Sequence, residues 1–371
     1  MLIVGAWAGT RTTMQGMLHD LEPLLVLSLN EDDWRASGSR EKIESGLKSL
    51  SAHSHSIRGA NHGDGAMDPS FALLAPDLGR QVNLALAAYR MGQFEFSRGT
   101  VRALTASCFA CHSRMPGWNG NGPPDLPDRL KNLPILEQAR LQATLRRVEP
   151  ALALYRELLL RPDFQKDDPV RWNRALRESL TIRLRVKRDP GAARKELQEL
   201  ARSRDLPAYM KKEMRGWIED LRLLMKPPSP KPQNEDMLMK TLRTSFREAK
   251  ARRLYPMDHA GDVRFLDLTG LLFDFERRHP DSPALAEIEF MQGLAHETLD
   301  MPPYSNLHEL FYESCIRRRP HSALAMQCYE HLERSVVSGF TGSSGTRVPM
   351  DAKNRLLELW ALAVVPGKEV P

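Results

Sequence analysis

Cysteine is scarce, with four residues in a chain of 371. That rules out a fold framed by disulfides, and a chain this long can bury its own core in two or three domains. Long apolar runs are also missing. No stretch approaches the roughly 18 to 20 residues that cross a bilayer as a helix, so no membrane span is expected. A block of like charge is absent too. Residues 131–230 carry 23 Lys and Arg against 14 Asp and Glu, the main source of the net +6 of the whole chain. The two signs alternate there, as on solvated helix faces, and no nucleic-acid partner is expected. Phosphate loops, acid/base pairs and nucleophiles in motif context are missing as well, so the reading is not an enzyme.

Two of the four cysteines stand together in "TASCFACHSRMPGW", residues 105–118. Cys108, Cys111 and His112 form a single C-x-x-C-H, which allows three chemistries. A thioredoxin-like dithiol belongs at the start of a helix that follows a strand. Here Val101, Leu104, Cys108 and Cys111 recur at helical spacing and place the motif near a helix carboxyl end, which favours cations and does not activate a thiol. Structural zinc needs two further ligands, and the His53, His55 and His62 group, in a polar Gly-rich loop, is the available source. Haem c asks only for what the motif holds. Two thiols three residues apart share a helix face and can take both vinyl groups, while His112, one turn past Cys108, can bind iron. One covalent haem c is therefore expected on Cys108, Cys111 and His112.

Haem c is attached outside the cytoplasm, which bears on the amino end. "MLIVGAWAGT" holds a short apolar stretch and an A-x-A site at Ala6-Trp7-Ala8, without the basic segment of a complete secretory signal. Residues 1–8 are read as the remnant of a signal peptide, with the mature chain beginning near Gly9. A periplasmic or otherwise exported location is expected.

Three amphipathic helices precede the motif. The first is capped by Thr10 or Thr12 and carries Met14, Met17, Leu18, Leu21 and Leu25 on one face. Ile43, Leu47 and Leu50 mark the second; Leu78, Val82, Leu86 and Tyr89, closed by Gly92, mark the third. The motif helix is the fourth, and the sequence predicts a four-helix bundle over 9–122. Over residues 10–116 the arrangement resembles the class II c-type cytochromes of the cytochrome c′/c-556 kind, in which C-x-x-C-H lies on the last helix of an up-down bundle. "RTTMQGML" is similar to the segment that supplies the distal residue in that family. The resemblance implies His112 as proximal ligand and Met14 as distal ligand, with Met17 as alternate and His19 as an outsider. It equally allows the branch with an apolar distal residue and five-coordinate iron. "CHSRMPG" departs from the family, with Arg114 one place early and Pro116 ending the helix.

Beyond Pro123 the pattern is helix upon helix, making the whole chain all-α. "EPALALYRELL" and "PGAARKELQEL" recur about 40 residues apart, and paired helices at such a period suggest a solenoid of tetratricopeptide-like hairpins. A helical repeat region is assigned to 123–225, a Pro-rich linker to 226–235 and a second helical repeat region to 236–371. Cys315 and Cys328 flank "RRRPHS", a turn between helices, and either pair or stay as two buried thiols. The expectation is an exported monohaem cytochrome for electron transfer, its redox partner docked through the repeats. The alternatives are a haem-based gas or redox sensor with five-coordinate iron, and an assembly protein in which haem stiffens the bundle.

Overall fold

Helix caps written into the sequence set many of the element starts. In the computed structural model, which describes residues 3–57, 69–113, 126–226, 234–255, 258–299, 307–343 and 345–365, Asp168 and Asp189 each accept the backbone N–H three residues on, with Pro169 and Pro190 at the first helical position. An aspartate cap followed by a proline satisfies an orphan donor and pre-sets φ for the helix. Asn30, Asn234 and Ser322 cap three other helices without a following proline, accepting the backbone N–H of Asp32, Met237 and Ala325.

The described residues are all-α, with 17 α-helices and one hairpin of two-residue strands, β1 (Thr341–Gly342) and β2 (Gly345–Thr346). The chain divides into two units at Met225/Lys226. The first holds α1 (Ile3–Leu27), α2 (Glu31–Arg35), α3 (Arg40–Ile57), α4 (Pro69–Arg90), α5 (Phe94–His112), α6 (Ile135–Thr144), α7 (Val148–Leu159), α8 (Pro162–Asp167), α9 (Pro169–Thr181), α10 (Pro190–Leu200) and α11 (Ala208–Leu224). A π turn, Ile182–Val186, continues α9.

Helix α1 packs on α3, α3 on α4, α4 on α5, and α1 also reaches α5. Their shared core is built from Leu21, Leu24, Ile43, Leu47, Leu50, Val82, Val101 and Leu104, with Trp34 of the short α2 beneath Tyr89. That core does not stop at residue 122. Leu130, Leu133, Leu141 and Leu145 belong to it, and α5 packs on α6. Arg102 of α5 pairs with Glu137 of α6, and Glu22 of α1 with Arg129.

Several local expectations change. Helix α1 runs through Thr10 and Thr12 unbroken, because no proline precedes them and the helix starts upstream of both. His53 and His55 lie on α3, which extends to Ile57. Asn234 and Glu235, assigned to the linker, cap and open α12. Residues 227–233 of the linker, His62, Arg114 and Pro116 lie outside the described residues.

The second unit holds α12 (Glu235–Ala251), α13 (Asp262–Arg278), α14 (Leu285–Leu299), α15 (Leu307–Arg318), α16 (Ala323–Gly339) and α17 (Met350–Ala363). Each packs on the next, and α14 also touches α16 as α15 touches α17. Cys315 and Cys328 are joined by a disulfide between α15 and α16, both fully buried among Tyr312, Ile316, Leu332 and Leu359. No described helix is long and apolar enough to cross a membrane.

Candidate functional site

The last two turns of α5 carry Cys108, Cys111 and His112, and the helix ends on the histidine. One face of those turns is apolar and inward, with Thr105, Ala106, Phe109 and Ala110 all buried. Both cysteines are half-buried and neither is in a disulfide. Cys108 leans on the core shared by α1, α3, α4 and α5, and burial pushes its thiol up to about 11. A thiol in that setting is protonated at neutral pH and behaves as a small apolar side chain.

His112 faces a different neighbourhood. With Phe109 and Ser113 it lines a small cleft walled by Ala143, Arg146, Val148, Ile182 and Val186. The wall opposite α5 is therefore the corner between α6 and α7 together with the π turn after α9. Arg146 donates through Nη1 to the His112 carbonyl at 2.6 Å. Burial pulls the guanidinium down to about 10, opposed by the nearby Cys111. A cation here meets the carboxyl end of α5, where the helix dipole favours positive charge.

Met14 and Met17 lie on α1, and the structure brings them to the same apolar cluster as Cys108. Met17 is buried in it and Met14 is half-buried at its edge. Neither lines the pocket beside His112. His19 is exposed. His53 binds Asp20 of α1 through Nδ1 at 2.8 Å, and His55 binds the Ser51 carbonyl at 2.7 Å. Those partners hold both imidazoles within α3 and its contact with α1. Among the described residues no three His, Cys, Asp or Glu side chains gather as a metal site.

No family model, curated protein or solved structure matches the chain.

The donor chemistry of the last α5 turns fits haem c, with two thiols outside any disulfide one turn apart and an imidazole beside them. The described packing beside His112 is tight. The space between the side chains there holds little more than a water molecule, so a porphyrin bound here would displace neighbouring side chains. Arg146 had no signal in the sequence. It lies 34 residues from His112, and only a non-glycine at a left-handed helix end could have drawn attention to it.

Proposed function

We propose that the chain is an exported monohaem c-type cytochrome acting in electron transfer. Cys108 and Cys111 would hold the haem through thioethers and His112 would bind the iron, with Met14, or Met17 in its place, as distal ligand. The haem supplies the one-electron chemistry when bound, and the chain sets its potential through axial ligand, burial and nearby charge. In this reading α1, α3, α4 and α5 form a four-helix bundle. The successive packing of α6 to α11 and of α12 to α17 reads as helical-hairpin repeats that offer a surface to a redox partner.

The observation that carries the proposal is the C-x-x-C-H on the last turns of an amphipathic helix, with neither thiol in a disulfide while the other two cysteines are joined by one. The Cys315–Cys328 disulfide supports export, since such bonds persist in oxidising compartments. The test is covalent haem. Exported protein should retain haem through acid-acetone extraction and Cys108→Ala/Cys111→Ala should lose it; haem kept by the double variant would overturn the reading.

A second reading, a gas or redox sensor with five-coordinate iron, draws support from Met17, which packs in the core as an ordinary apolar side chain. The optical spectrum separates the two. Low-spin iron with a methionine–iron charge-transfer band favours electron transfer, and high-spin iron that takes up carbon monoxide favours sensing.

A further inference from the structure

The ends of α4 and α6 close with the same hydrogen-bond pattern but turn on different residues. At the end of α4, Gly92 N–H donates to the Tyr89 carbonyl and Gln93 N–H to the Ala88 carbonyl. At the end of α6, Arg146 N–H donates to Ala143 and Arg147 N–H to Gln142. Both are Schellman closures, whose pivotal residue is left-handed and usually glycine. Gly92 has φ +74°, as expected; Arg146 has φ +62°. An L side chain resists that conformation, and such residues persist where the surroundings hold them.

What holds Arg146 is the end of α5. Its Nη1 reaches the His112 carbonyl at 2.6 Å, its guanidinium lies near Cys111, and the side chain lines the pocket shared with His112. We propose that Arg146 is the positioning residue of the haem site, a left-handed arginine whose guanidinium clamps the carbonyl of the axial histidine and ties the α6–α7 corner to the last turn of α5. The inference rests on the haem reading for its consequence and on geometry alone for the clamp. With haem bound, a buried positive charge at this point disfavours the oxidised, more positive iron.

The test uses the full chain with Arg146→Gly and Arg146→Lys. Glycine removes the guanidinium and suits the left-handed backbone, so loss of folding does not cloud the result. In haem-free protein, amide hydrogen exchange at Cys111, His112 and Ser113 should quicken roughly tenfold in Arg146→Gly, the scale of one lost charge-assisted hydrogen bond. Exchange in α3 should not change. In haem-loaded protein Arg146→Gly should lower the reduction potential and perturb the histidine–iron spectrum, with Arg146→Lys restoring the potential. Unchanged exchange at the end of α5 would overturn the clamp. Quickened exchange with an unchanged potential would overturn the positioning role. A wild-type chain without covalent haem would overturn the haem reading instead, and the exchange data would still decide the clamp.

Discussion

Arg140 of α6 grips Glu178 of α9 with two parallel bonds, Nε to Oε2 at 2.9 Å and Nη2 to Oε1 at 2.7 Å, and both side chains are buried. Tyr155 of α7 donates to the same carboxylate at 2.8 Å. Three helices thus meet on one buried charge pair. Removing one partner strands the other, so Glu178→Ala should cost about 3–5 kcal/mol, whereas an apolar replacement of both, Arg140→Met with Glu178→Leu, should cost much less. Urea unfolding of the two variants checks this, and equal losses in both would refute it.

Helices α14 and α15 approach closely because Gly293 has no side chain. A Cβ there would stand 2.5 Å from Cε1 and 2.7 Å from Cδ1 of Tyr312, which is fully buried. Gly293→Ala should destabilise by about 1–3 kcal/mol through overpacking, despite the better helix propensity of alanine. Gly216 on α11 meets nothing within 4 Å, so Gly216→Ala should stabilise by up to about 1 kcal/mol. Opposite shifts in denaturation midpoint are the expected result.

The Cys315–Cys328 bond closes a short loop, with a sequence separation of 13. Loop-closure entropy puts its contribution at about 3 kcal/mol, and both sulfurs sit in the core of the second unit. Cys315→Ala/Cys328→Ala should therefore melt earlier than the oxidised chain. Addition of reductant should shift the wild type toward the variant and leave the variant unmoved.

The acid limb of stability should depend on Glu297. Burial alone would raise its carboxyl, but hydrogen bonds from His331 and Tyr312 outweigh that and hold it below the ordinary range. A folded-state value below the unfolded one contributes stability above the unfolded value, about 4.3, and loses it as pH falls through the folded value. Glu297→Gln should flatten the dependence of thermal stability on pH below about 4. An unaltered acid limb would show that other carboxylates dominate it.

Much of this was legible locally. Ile43, Leu47 and Leu50 sit buried on α3, and Leu78, Val82 and Tyr89 on α4, because apolar residues at helical spacing must share one covered face. Gly92 reads as a helix end because its backbone geometry leaves few substitutes. The five-residue α2 was not legible, since it is too short to show a period and is held by the burial of Trp34. Thr10 and Thr12 suggested a helix start because a threonine offers a cap whether or not the helix needs one. Arg146 and His112 were least visible of all. Their contact belongs to tertiary packing between α5 and the α6–α7 corner, and no periodicity encodes it.

The two methionines of α1 separate packing from ligation. Met17 is buried among Leu21, Leu24 and Leu50, while Met14 touches the same cluster from its half-exposed edge. Truncating a buried methionine leaves a cavity, so Met17→Ala should cost about 2–5 kcal/mol in haem-free protein, and Met14→Ala clearly less. Ligation makes the opposite demand, because a residue that binds iron must affect the spectrum more than the fold. If Met14 is the distal ligand, Met14→Ala should convert low-spin iron to high-spin or admit carbon monoxide, at little cost to the melting of haem-free protein. Met17→Ala should lower the melting temperature and leave the iron as it was. A spectrum that responds to Met17 alone would move the distal role one turn along α1. A spectrum indifferent to both would make the two methionines core packing and favour five-coordinate iron.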